Sequence, residues 1–439
     1  MRYCVGIDLG STTTKAVILD DRGEILGRGI TNSRSNYEVA CQVALGEALN
    51  TARFGLIIAE LKRLGVAEER GVAEIVALEL QFRKHQYLGQ LESLHEAMRR
   101  LVQAHSDAAS LSRAVDEIVE QMVEETPALF APGARRKSDF FRDLAGSRYL
   151  HLAEVTTKQS GIGYDRIVGL FDKAILDVEN LPPASQRFLE LARAAQADIA
   201  APSAEMSPAV DAAGQIALEL AVSVGTGYGR ATLPFPRARI RSEILCHGLG
   251  AHAMFPATRT VLDIGGQDTK AIQVDGQGIV TSFQMNDRCA AGCGRYLGYI
   301  ADEMNIGVHE LGPLASQATR TVKINSTCTV FAGAELRERL SLGERREDIL
   351  SGLHRAVILR AMSLLARSGG IDDQFTFTGG VANNEAAVAA LAGLTEENYG
   401  ELTLNISPDS IYTGALGAAL FARRDWLREE AEAAVGTMQ

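Results

Sequence analysis

Alternating apolar and polar positions, broken by glycine-rich turns, predict two β-hairpin meanders that lie far apart in the chain. An apolar strand at 3–7 is followed by a glycine-rich turn, a second strand at 16–19 and an Asp-x-x-Gly turn. The same order recurs at 260–264 and 271–274. Apolar runs bounded by such turns are typical of strands, so each segment predicts three consecutive antiparallel strands.

The two meanders resemble each other in sequence. Residues 8–25 read DLGSTTTKAVILDDRGEI and residues 263–280 read DIGGQDTKAIQVDGQGIV, with seven of eighteen positions identical at a constant offset of 255. The identical pairs are Asp8 and Asp263, Gly10 and Gly265, Thr14 and Thr269, Lys15 and Lys270, Ala16 and Ala271, Asp20 and Asp275, and Gly23 and Gly278. This internal repeat predicts two equivalent lobes that arose by duplication.

Each glycine-rich turn carries the groups that a phosphate site needs. Glycines allow close backbone approach, hydroxyls and free N–H groups donate to phosphate oxygens, and an acidic residue at the strand end can hold Mg²⁺. A third element, FTFTGGVANN at 375–384, follows an apolar strand, and its Gly379-Gly380 pair suits close packing against a base or ribose. Two facing hairpins would clamp a nucleoside triphosphate, although each could also be a purely structural turn.

About 170 residues, 36–208, separate the first hairpin from the next motif, and they read as mostly helical. Apolar positions over 91–122 follow a three-four spacing, which predicts one long amphipathic helix or two helices broken near Asp107, a candidate cap. Pro182 and Pro183 mark the return to the lobe. The insertion is predicted to be either helices packed on the first lobe or a docking surface for a partner.

Composition and charge restrict the class of protein. The chain has 439 residues and a formal net charge of −11, which argues against nucleic acid or an anionic membrane as its main partner. No apolar run approaches the ~18 residues needed to span a bilayer. Six cysteines are too few for a disulfide-stapled secreted fold. We therefore expect a cytoplasmic protein in which clustered cysteines are metal ligands or nucleophiles.

Two cysteines lie in contexts that favour chemistry. Cys289 precedes a predicted helix for which Asn286 and Asp287 are candidate caps, and Cys328 lies at a similar polar turn before another helix. The positive end of a helix dipole stabilises a thiolate. Each cysteine alone could equally be a small buried hydrophobic residue. The other cysteines carry weaker signals: Cys4 and Cys246 are expected to be packed, and Cys41 is undetermined.

The three glycine-rich elements, in this order, resemble the acetate kinase, sugar kinase, Hsp70 and actin superfamily. The resemblance implies an α/β fold of two ribonuclease-H-like lobes with ATP·Mg in the cleft between them, plus a mainly helical insertion in lobe I. It implies Asp8 and Asp263 as catalytic residues near the metal. The residues implied to bind ATP and Mg²⁺ are Gly10, Ser11, Thr12, Thr13, Lys15, Gly265, Gly266, Gln267, Asp268, Gly379 and Gly380.

The same resemblance implies the domain boundaries. Lobe I is expected at 1–35 and 209–260 with a C-terminal helix at 409–439. The insertion is expected at 36–208, and lobe II, with the cysteine motifs, at 261–408.

The cysteine motifs MNDRCAAGxGR and STCTVFAxxE, with GTGYGR at 225–230, are similar to those of the activator ATPases of 2-hydroxyacyl-CoA dehydratases and the electron-activating subunits of benzoyl-CoA reductase. In that family two subunits share one [4Fe–4S] cluster, which implies Cys289 and Cys328 as this chain's ligands. Such a cluster takes four thiolates, so the chain should pair with a homologous subunit. Cys293, where the family commonly has Thr, stays an alternative ligand. This chain reads FAGAE where the family reads FAESE, so of the two glutamates in that motif only Glu335 is present here.

The resemblance implies ATP-driven transfer of low-potential electrons from reduced ferredoxin, through the shared cluster, to two catalytic subunits that bind benzoyl-CoA. The insertion favours a benzoyl-CoA reductase subunit, because the short dehydratase activators lack one. The alternatives are an activator ATPase of a 2-hydroxyacyl-CoA dehydratase, a small-molecule kinase of the same superfamily and a non-enzymatic ATP-driven interaction module like Hsp70. Neither nucleic acid nor membrane is expected as a partner.

Overall fold

The computed structural model describes residues 1–34, 36–134, 136, 138–181, 187–228, 233–324, 328–372 and 374–436. These residues form two compact units, one comprising Arg34–Leu218 with Met1, and the other comprising Arg2–Ser33 with Glu219–Gln439. Several residues noted in the sequence lie outside the described part, namely Pro182, Pro183, Gly229 and Arg230 of the GTGYGR motif, and the three residues before Cys328.

The first predicted meander is confirmed as three antiparallel strands. They are β1 (Arg2–Leu9), β2 (Thr13–Leu19) and β3 (Ile25–Asn32). All residues of β1 after Arg2 are buried, which is the pattern of a strand covered on both faces.

The described part of the insertion is helical, as predicted. Its helices are α1 (Tyr37–Arg63), α2 (Glu68–Val102), α3 (Ala108–Leu129), α4 (Phe141–Ser160), α5 (Tyr164–Glu179), α6 (Phe188–Ala197) and α7 (Met206–Gln215). The long helix α2 contributes to two cores, one with α1, α6 and α7 around Phe54, Phe82 and Phe188, and one with α3, α4 and α5. This unit therefore has hydrophobic cores of its own.

The apolar stripe predicted over 91–122 is broken, which decides between the two sequence-based alternatives. Helix α2 ends at Val102 and α3 begins at Ala108. Asp107 is the N-cap residue of α3, but its carboxylate accepts hydrogen bonds from Arg166 instead of capping the helix. The position of the break was predictable, whereas the role of the Asp107 side chain was not.

The second unit continues with strand β4 (Glu219–Thr226), which pairs parallel to β1. The first sheet therefore has the order β3-β2-β1-β4. A short 3₁₀ helix at Arg237–Arg239 and helix α8 (Glu243–Met254) follow.

A second sheet has the order β7-β6-β5-β8-β9. Its strands are β5 (Thr260–Ile264), β6 (Thr269–Val274), β7 (Val280–Asn286), β8 (Phe375–Thr378) and β9 (Leu404–Asn405). Strands β5 to β7 form the second predicted meander, and β8 and β9 add to it in parallel.

The remaining helices of this unit are α9 (Gly294–Met304), α10 (Val308–Ala315), α11 (Thr329–Ser341), α12 (Arg346–Ser368), α13 (Glu385–Tyr399) and α14 (Thr413–Gly436), with 3₁₀ turns at Gly380–Asn383 and Pro408–Tyr412. By length and composition alone α12 could cross a membrane. Its apolar window, however, is 67% buried in the core around the second sheet, and this burial accounts for its apolar character.

The two meanders are equivalent in register and in their turns. Asp8 pairs with Lys15 across β1 and β2, and Asp263 pairs with Lys270 across β5 and β6. In both copies the aspartate of the Asp-x-x-Gly turn accepts two backbone N–H groups through its Oδ1 atom, and the glycine has positive φ. The repeat seen in the sequence is therefore a structural repeat.

Helix α8 packs against elements of both sheets, because small residues face its neighbours. An added Cβ at Gly417 of α14 would lie 1.9 Å from the Cys246 carbonyl oxygen of α8, and one at Gly250 of α8 would lie 2.0 Å from the Thr413 carbonyl oxygen. On another face, a Cβ at Gly248 would lie 2.7 Å from Val280 of the second sheet. These contacts place α8 between α14 and strand β7 of the second sheet.

Candidate functional site

The two glycine-rich loops contact each other directly. A Cβ added at Gly266 would lie 2.3 Å from Thr12 Oγ1, so this glycine is required by the close approach of the loops. Ser33 supports the first loop, because its N–H donates to the Thr12 carbonyl (2.8 Å) and its hydroxyl donates to the Gly10 carbonyl (2.6 Å). The structure thus brings together the two loops that the repeat predicted.

The third glycine element lies next to the second loop. Gly379 has φ +87°, and a Cβ there would lie 2.4 Å from the Ile264 carbonyl, whereas a Cβ at Gly380 would meet no atom within 4 Å. A Cβ added at Gly294, at the start of α9, would lie 3.4 Å from Gly266 Cα and 3.5 Å from the Val381 side chain. All three predicted nucleotide elements therefore converge within one unit.

The residues predicted to bind the nucleotide differ in their exposure to solvent. Lys15 Nζ would lie 3.3 Å from a Cβ added at Gly10, so it stands over the first loop. Apart from Asp268, all residues predicted to bind ATP and Mg²⁺ are partly or fully accessible, including Ser11, Thr12, Thr13, Lys15 and Gln267. Asp268 differs from them, because it is buried and pairs with Lys270 Nζ at 2.8 Å.

Beneath the loops lies a buried cluster of charged side chains around Lys270. Its Nζ atom is 3.0 Å from Glu243 Oε1 and 3.2 Å from Asp263 Oδ2, in addition to its contact with Asp268. Thr378 Oγ1 donates to the other oxygen of Asp263 at 2.9 Å. Asp8, the partner of Asp263 in the repeat, is also buried here.

His247 lies among three carboxylates of this cluster. Its Nδ1 atom is 3.3 Å from Asp263 Oδ1, and its Nε2 atom is 3.9 Å from Asp8 Oδ2 and from Glu243 Oε1. None of these contacts has hydrogen-bond geometry, and Asp8 Oδ1 likewise has no hydrogen-bond partner within the described ranges. Burial lowers the pKa of His247, but Asp263 and then Asp8 outweigh burial, so the net shift is upward.

Electrostatic interactions within the cluster shift the pKa values of its acids in opposite directions. Burial disfavours ionisation of Asp263, yet His247 and Lys270 outweigh it and hold the pKa of Asp263 well below its usual value. Burial raises the pKa of Glu243, and the opposing effect of Lys270 is smaller. Neighbouring acids with opposite pKa shifts are typical of functional sites.

Sequence reasoning missed Glu243, His247 and the role of Lys270. Glu243 and His247 are four residues apart on α8, a spacing that puts both on one helix face, and this E-x-x-x-H pattern was the available signal. Lys270 was visible in the repeat, but its carboxylate partners come from α8 and the second loop, which only folding brings together.

The cysteines fall into two groups by accessibility. Cys289 and Cys328 are half-buried, whereas Cys4, Cys41, Cys246 and Cys293 are buried. Cys293 is the N-cap residue of α9, its Sγ contacts the Ala290 carbonyl at 3.2 Å, and burial raises its pKa. The expectation that Asn286 or Asp287 caps a helix just after Cys289 is wrong, because β7 extends to Asn286 and α9 begins only at Gly294.

The cysteine segment is hydrogen-bonded to the second glycine loop. Gly294 N–H donates to the Gly265 carbonyl at 2.8 Å, and Arg295 N–H donates to the Gly266 carbonyl at 2.7 Å. Thr269 Oγ1 donates to the Gly292 carbonyl at 2.5 Å. The first turn of α9 is thus built on the loop's own carbonyl groups.

Among the described His, Cys, Asp and Glu residues, one group of three has ligand atoms close enough to hold a metal ion together, namely Asp8, Glu243 and His247. Cys289, Cys293 and Cys328 do not form such a group within the described part of this chain.

Two repeated hairpin sheets, each flanked by helices, with glycine loops converging between them, define the α/β fold of actin, Hsp70 and the sugar kinases, and confirm the predicted fold class. The chain belongs to the BadF/BadG/BcrA/BcrD ATPase family, whose model matches residues 5–422. It is accordingly an ATP-hydrolysing enzyme.

The identity to individual relatives bears on the choice between the dehydratase and the reductase alternatives. The activating ATPase of (R)-2-hydroxyglutaryl-CoA dehydratase from Acidaminococcus fermentans is 44% identical over 204 residues, which are 46% of this chain and 76% of that protein. A benzoyl-CoA reductase subunit from Thauera aromatica is 34% identical over 193 residues, 44% of this chain and 67% of that protein. Similarity thus favours the dehydratase alternative over the reductase assignment that the insertion suggested.

Among solved structures, the activator of 2-hydroxyisocaproyl-CoA dehydratase from Clostridium difficile, with bound ADPNP, aligns with a TM-score of 0.53. The alignment covers 98% of this chain and 97% of that one at 22% identity. At this identity the likeness shows the fold.

Proposed function

We propose that the protein is a cytoplasmic activator ATPase that delivers low-potential electrons from reduced ferredoxin to a 2-hydroxyacyl-CoA dehydratase component. The catalytic component that receives the electrons is called the client below. The higher identity to a dehydratase activator, 44% against 34% for the reductase subunit, supports a dehydratase as the client. The insertion, which pointed to a reductase, lies outside the nucleotide and cysteine motifs. Its presence therefore says little about which catalytic component receives the electron.

The accessible cysteines fit a cluster shared with a second activator subunit. Cys289 and Cys328 are free, half-buried thiols, and the other four cysteines are buried. A [4Fe–4S] cluster takes four thiolates, so two subunits contributing Cys289 and Cys328 would complete it. Bound there, the cluster would supply one-electron transfer. Buried Cys293 is a poor ligand for such a bridge, although the sequence left it open.

The glycine loops fit ATP and Mg²⁺. Thr12, Lys15 and the backbone of the two loops would bind the phosphates, and the accessible position of Gly380 would leave room for the nucleoside. Asp8 would hold the metal directly or through water, because its Oδ1 atom has no hydrogen-bond partner among the described residues. Asp263 would act through water, since its two oxygens already contact Thr378 and Lys270. Mg²⁺ would neutralise phosphate charge there.

The observation that carries the proposal is the backbone connection between these two sites. Because α9 starts on the carbonyls of Gly265 and Gly266, a movement of the loop displaces the first turn of α9 and the segment that bears Cys289. This connection supports coupling between the nucleotide state and the cysteine surface, which a small-molecule kinase would not need. Hinge motion between lobes is a common response to a nucleotide.

Anaerobic purification tests the cluster part of the proposal. We expect a brown protein with a [4Fe–4S] electron paramagnetic resonance (EPR) signal on reduction, lost in Cys289→Ser and in Cys328→Ser, and retained in the matched control Cys246→Ser, whose thiol is buried. A colourless wild-type protein, or a cluster that survives both ligand substitutions, would contradict the assignment.

Reconstitution tests the client. The purified activator with ATP, reduced ferredoxin and a dehydratase component should support dehydration of a 2-hydroxyacyl-CoA. Activity with the catalytic subunits of a benzoyl-CoA reductase, and none with the dehydratase, would restore the reductase alternative. Phosphorylation of a small molecule without a cluster would favour the kinase.

A further inference from the structure

The buried cluster beneath the loops contains more negative than positive charge. The cluster contains four carboxylates, those of Asp8, Glu243, Asp263 and Asp268, and the single ammonium group of Lys270, and all five side chains are buried. Buried charges are retained only when they are paired or bind a cation. Lys270 contacts three of the four carboxylates, and Asp8 lies outside its reach, next to His247.

Asp8 and the neighbouring His247 both have buried polar atoms that no hydrogen bond uses within the described residues. The Nε2 atom of His247 faces Asp8 Oδ2 and Glu243 Oε1, and its Nδ1 atom faces Asp263. Asp8 and His247 are 3% and 6% exposed, and within the described residues neither Asp8 Oδ1 nor either ring nitrogen of His247 has a hydrogen-bond partner. Ligand atoms of Asp8, Glu243 and His247 lie within 4.8 Å of one another. An ion seated among them would be about 2–3 Å from each, close to metal–nitrogen and metal–oxygen bond lengths.

Two glycines leave space beside the ligand atoms of Asp8 and His247. A Cβ at Gly414 would lie 2.7 Å from His247 Nε2 and 2.8 Å from Asp8 Oδ2, and a Cβ at Gly227 would lie 2.6 Å from Asp8 Oδ1. Gly227 also has φ +108°, a conformation that L side chains rarely adopt. A side chain at position 414 would occupy the space in front of His247 Nε2 and Asp8 Oδ2, and one at position 227 would occupy the space in front of Asp8 Oδ1.

We propose that Asp8, Glu243 and His247 bind one divalent transition-metal ion, of the Mn²⁺ to Zn²⁺ class, in the absence of nucleotide. The imidazole ligand distinguishes this site from the all-oxygen sites that Mg²⁺ and Ca²⁺ prefer. The site depends only on residues of this chain, so it stands whether or not the cluster and client assignments hold.

Titration of the nucleotide-free protein with Mn²⁺, followed by the EPR signal of the free ion, tests the proposal. We expect one site per chain that tenfold excess Mg²⁺ does not displace. His247→Gln and Glu243→Gln should each weaken binding at least tenfold. The matched control is His252→Gln, which should bind as wild type. His252 lies on the same helix outside the cluster, and its buried Nδ1 atom likewise has no hydrogen-bond partner in the part of the chain that the structure describes.

Two further measurements keep the result interpretable. The Cys289→Ser variant should bind Mn²⁺ as wild type does, which excludes the cysteines as its ligands. Fluorescence of Trp426, the single tryptophan, checks that His247→Gln and Glu243→Gln are folded. Binding that requires ATP, binding unchanged in folded His247→Gln, or displacement by Mg²⁺ would each overturn the proposal.

Discussion

Lys270 shows how one buried side chain organises the site. It is 1% exposed and lies within 3.2 Å of three carboxylates from α8, β5 and the second loop. Burial disfavours its charged form, but Asp263 and Glu243 outweigh burial and raise the pKa of Lys270 well above its usual value. The ammonium group therefore stays charged at neutral pH and holds the three elements together.

Replacing Lys270 by Met, which has a similar shape and no charge, should leave three buried carboxylates uncompensated. We expect the free energy of unfolding of this unit to fall by about 3–5 kcal/mol, the range for breaking a buried ion pair. Urea unfolding followed by Trp426 fluorescence measures it. Arg355→Met, which removes an exposed pair with Glu397 in the same unit, should cost less than about 1 kcal/mol. Equal effects of the two substitutions would contradict this account.

Cysteine alkylation separates accessible from buried thiols. In the cluster-free, folded protein at pH 8, iodoacetamide should modify Cys289 and Cys328 first, because both are half-exposed. Burial raises the pKa of Cys4, Cys41 and Cys246 to about 12, so these thiols stay protonated and unreactive until the protein unfolds. Peptide mass spectrometry reads the order. Early modification of Cys293 would contradict its burial and reopen it as a ligand.

At the scale of elements, the two hairpins share a register but differ in what surrounds them. Lys15 and Lys270 occupy equivalent positions opposite Asp8 and Asp263, yet Lys15 is partly exposed beside Gly10 while Lys270 is buried. The difference comes from α8, which places the Glu243 carboxylate within reach of the second lysine. The same strand pair thus occurs twice, and the contact with α8 makes the environment of the second lysine different from that of the first.

The contact between β1 and α14 depends on Gly6, where a Cβ would lie 2.0 Å from the Ala419 backbone nitrogen. Gly6→Ala should therefore push α14 away from the sheet and lower the free energy of unfolding by about 3 kcal/mol or more, within the range for severe overpacking. Thermal or urea unfolding by Trp426 fluorescence is the measurement, since Trp426 lies on α14. Gly393→Ala, in helix α13 with no atom within 4 Å of its added Cβ, should instead stabilise by about 0.5–1 kcal/mol. A neutral Gly6→Ala would show that the helix can shift without cost.

At the scale of the whole molecule, the second unit has its sheets and cores without the insertion. Replacing residues 34–218 by a linker should leave it folded if the linker is long enough. The end of β3 and the start of β4 lie on opposite edges of the first sheet and at opposite strand ends. Seven residues at ~3.3 Å and three strand spacings of ~4.8 Å give a separation of about 27 Å.

A glycine-serine linker of about 20–25 residues spans that distance at its average extension. We expect the Trp426 unfolding midpoint of this deletion variant to match that of the full chain, and a five-residue linker to destabilise it. If the long-linker variant does not fold, the insertion contributes to the stability of the second unit. If it folds and binds ATP but no longer activates its client, the insertion serves in docking.

Local pattern alone determined the hairpins, the repeat and the helical nature of the insertion. Strand periodicity, Asp-x-x-Gly turns and the glycine pair at 379–380 are encoded within a few residues, so they could be read without a fold. The repeat predicted two hairpin meanders, and the structure shows both, with Asp8 opposite Lys15 in the first and Asp263 opposite Lys270 in the second. The motif resemblance led to the family, though not to the client that similarity favours.

Only the tertiary structure decided the buried cluster and the accessibility of the individual cysteines. Glu243, His247 and Lys270 come from segments that no sequence spacing relates to Asp8, and the packing of α8 between the sheets brings them together. Cys289 and Cys293 are four residues apart in similar sequence, but the extended end of β7 and the late start of α9 leave one accessible and bury the other. Burial and long-range charge depend on the whole fold, and for that reason the sequence could name the candidates but not separate them.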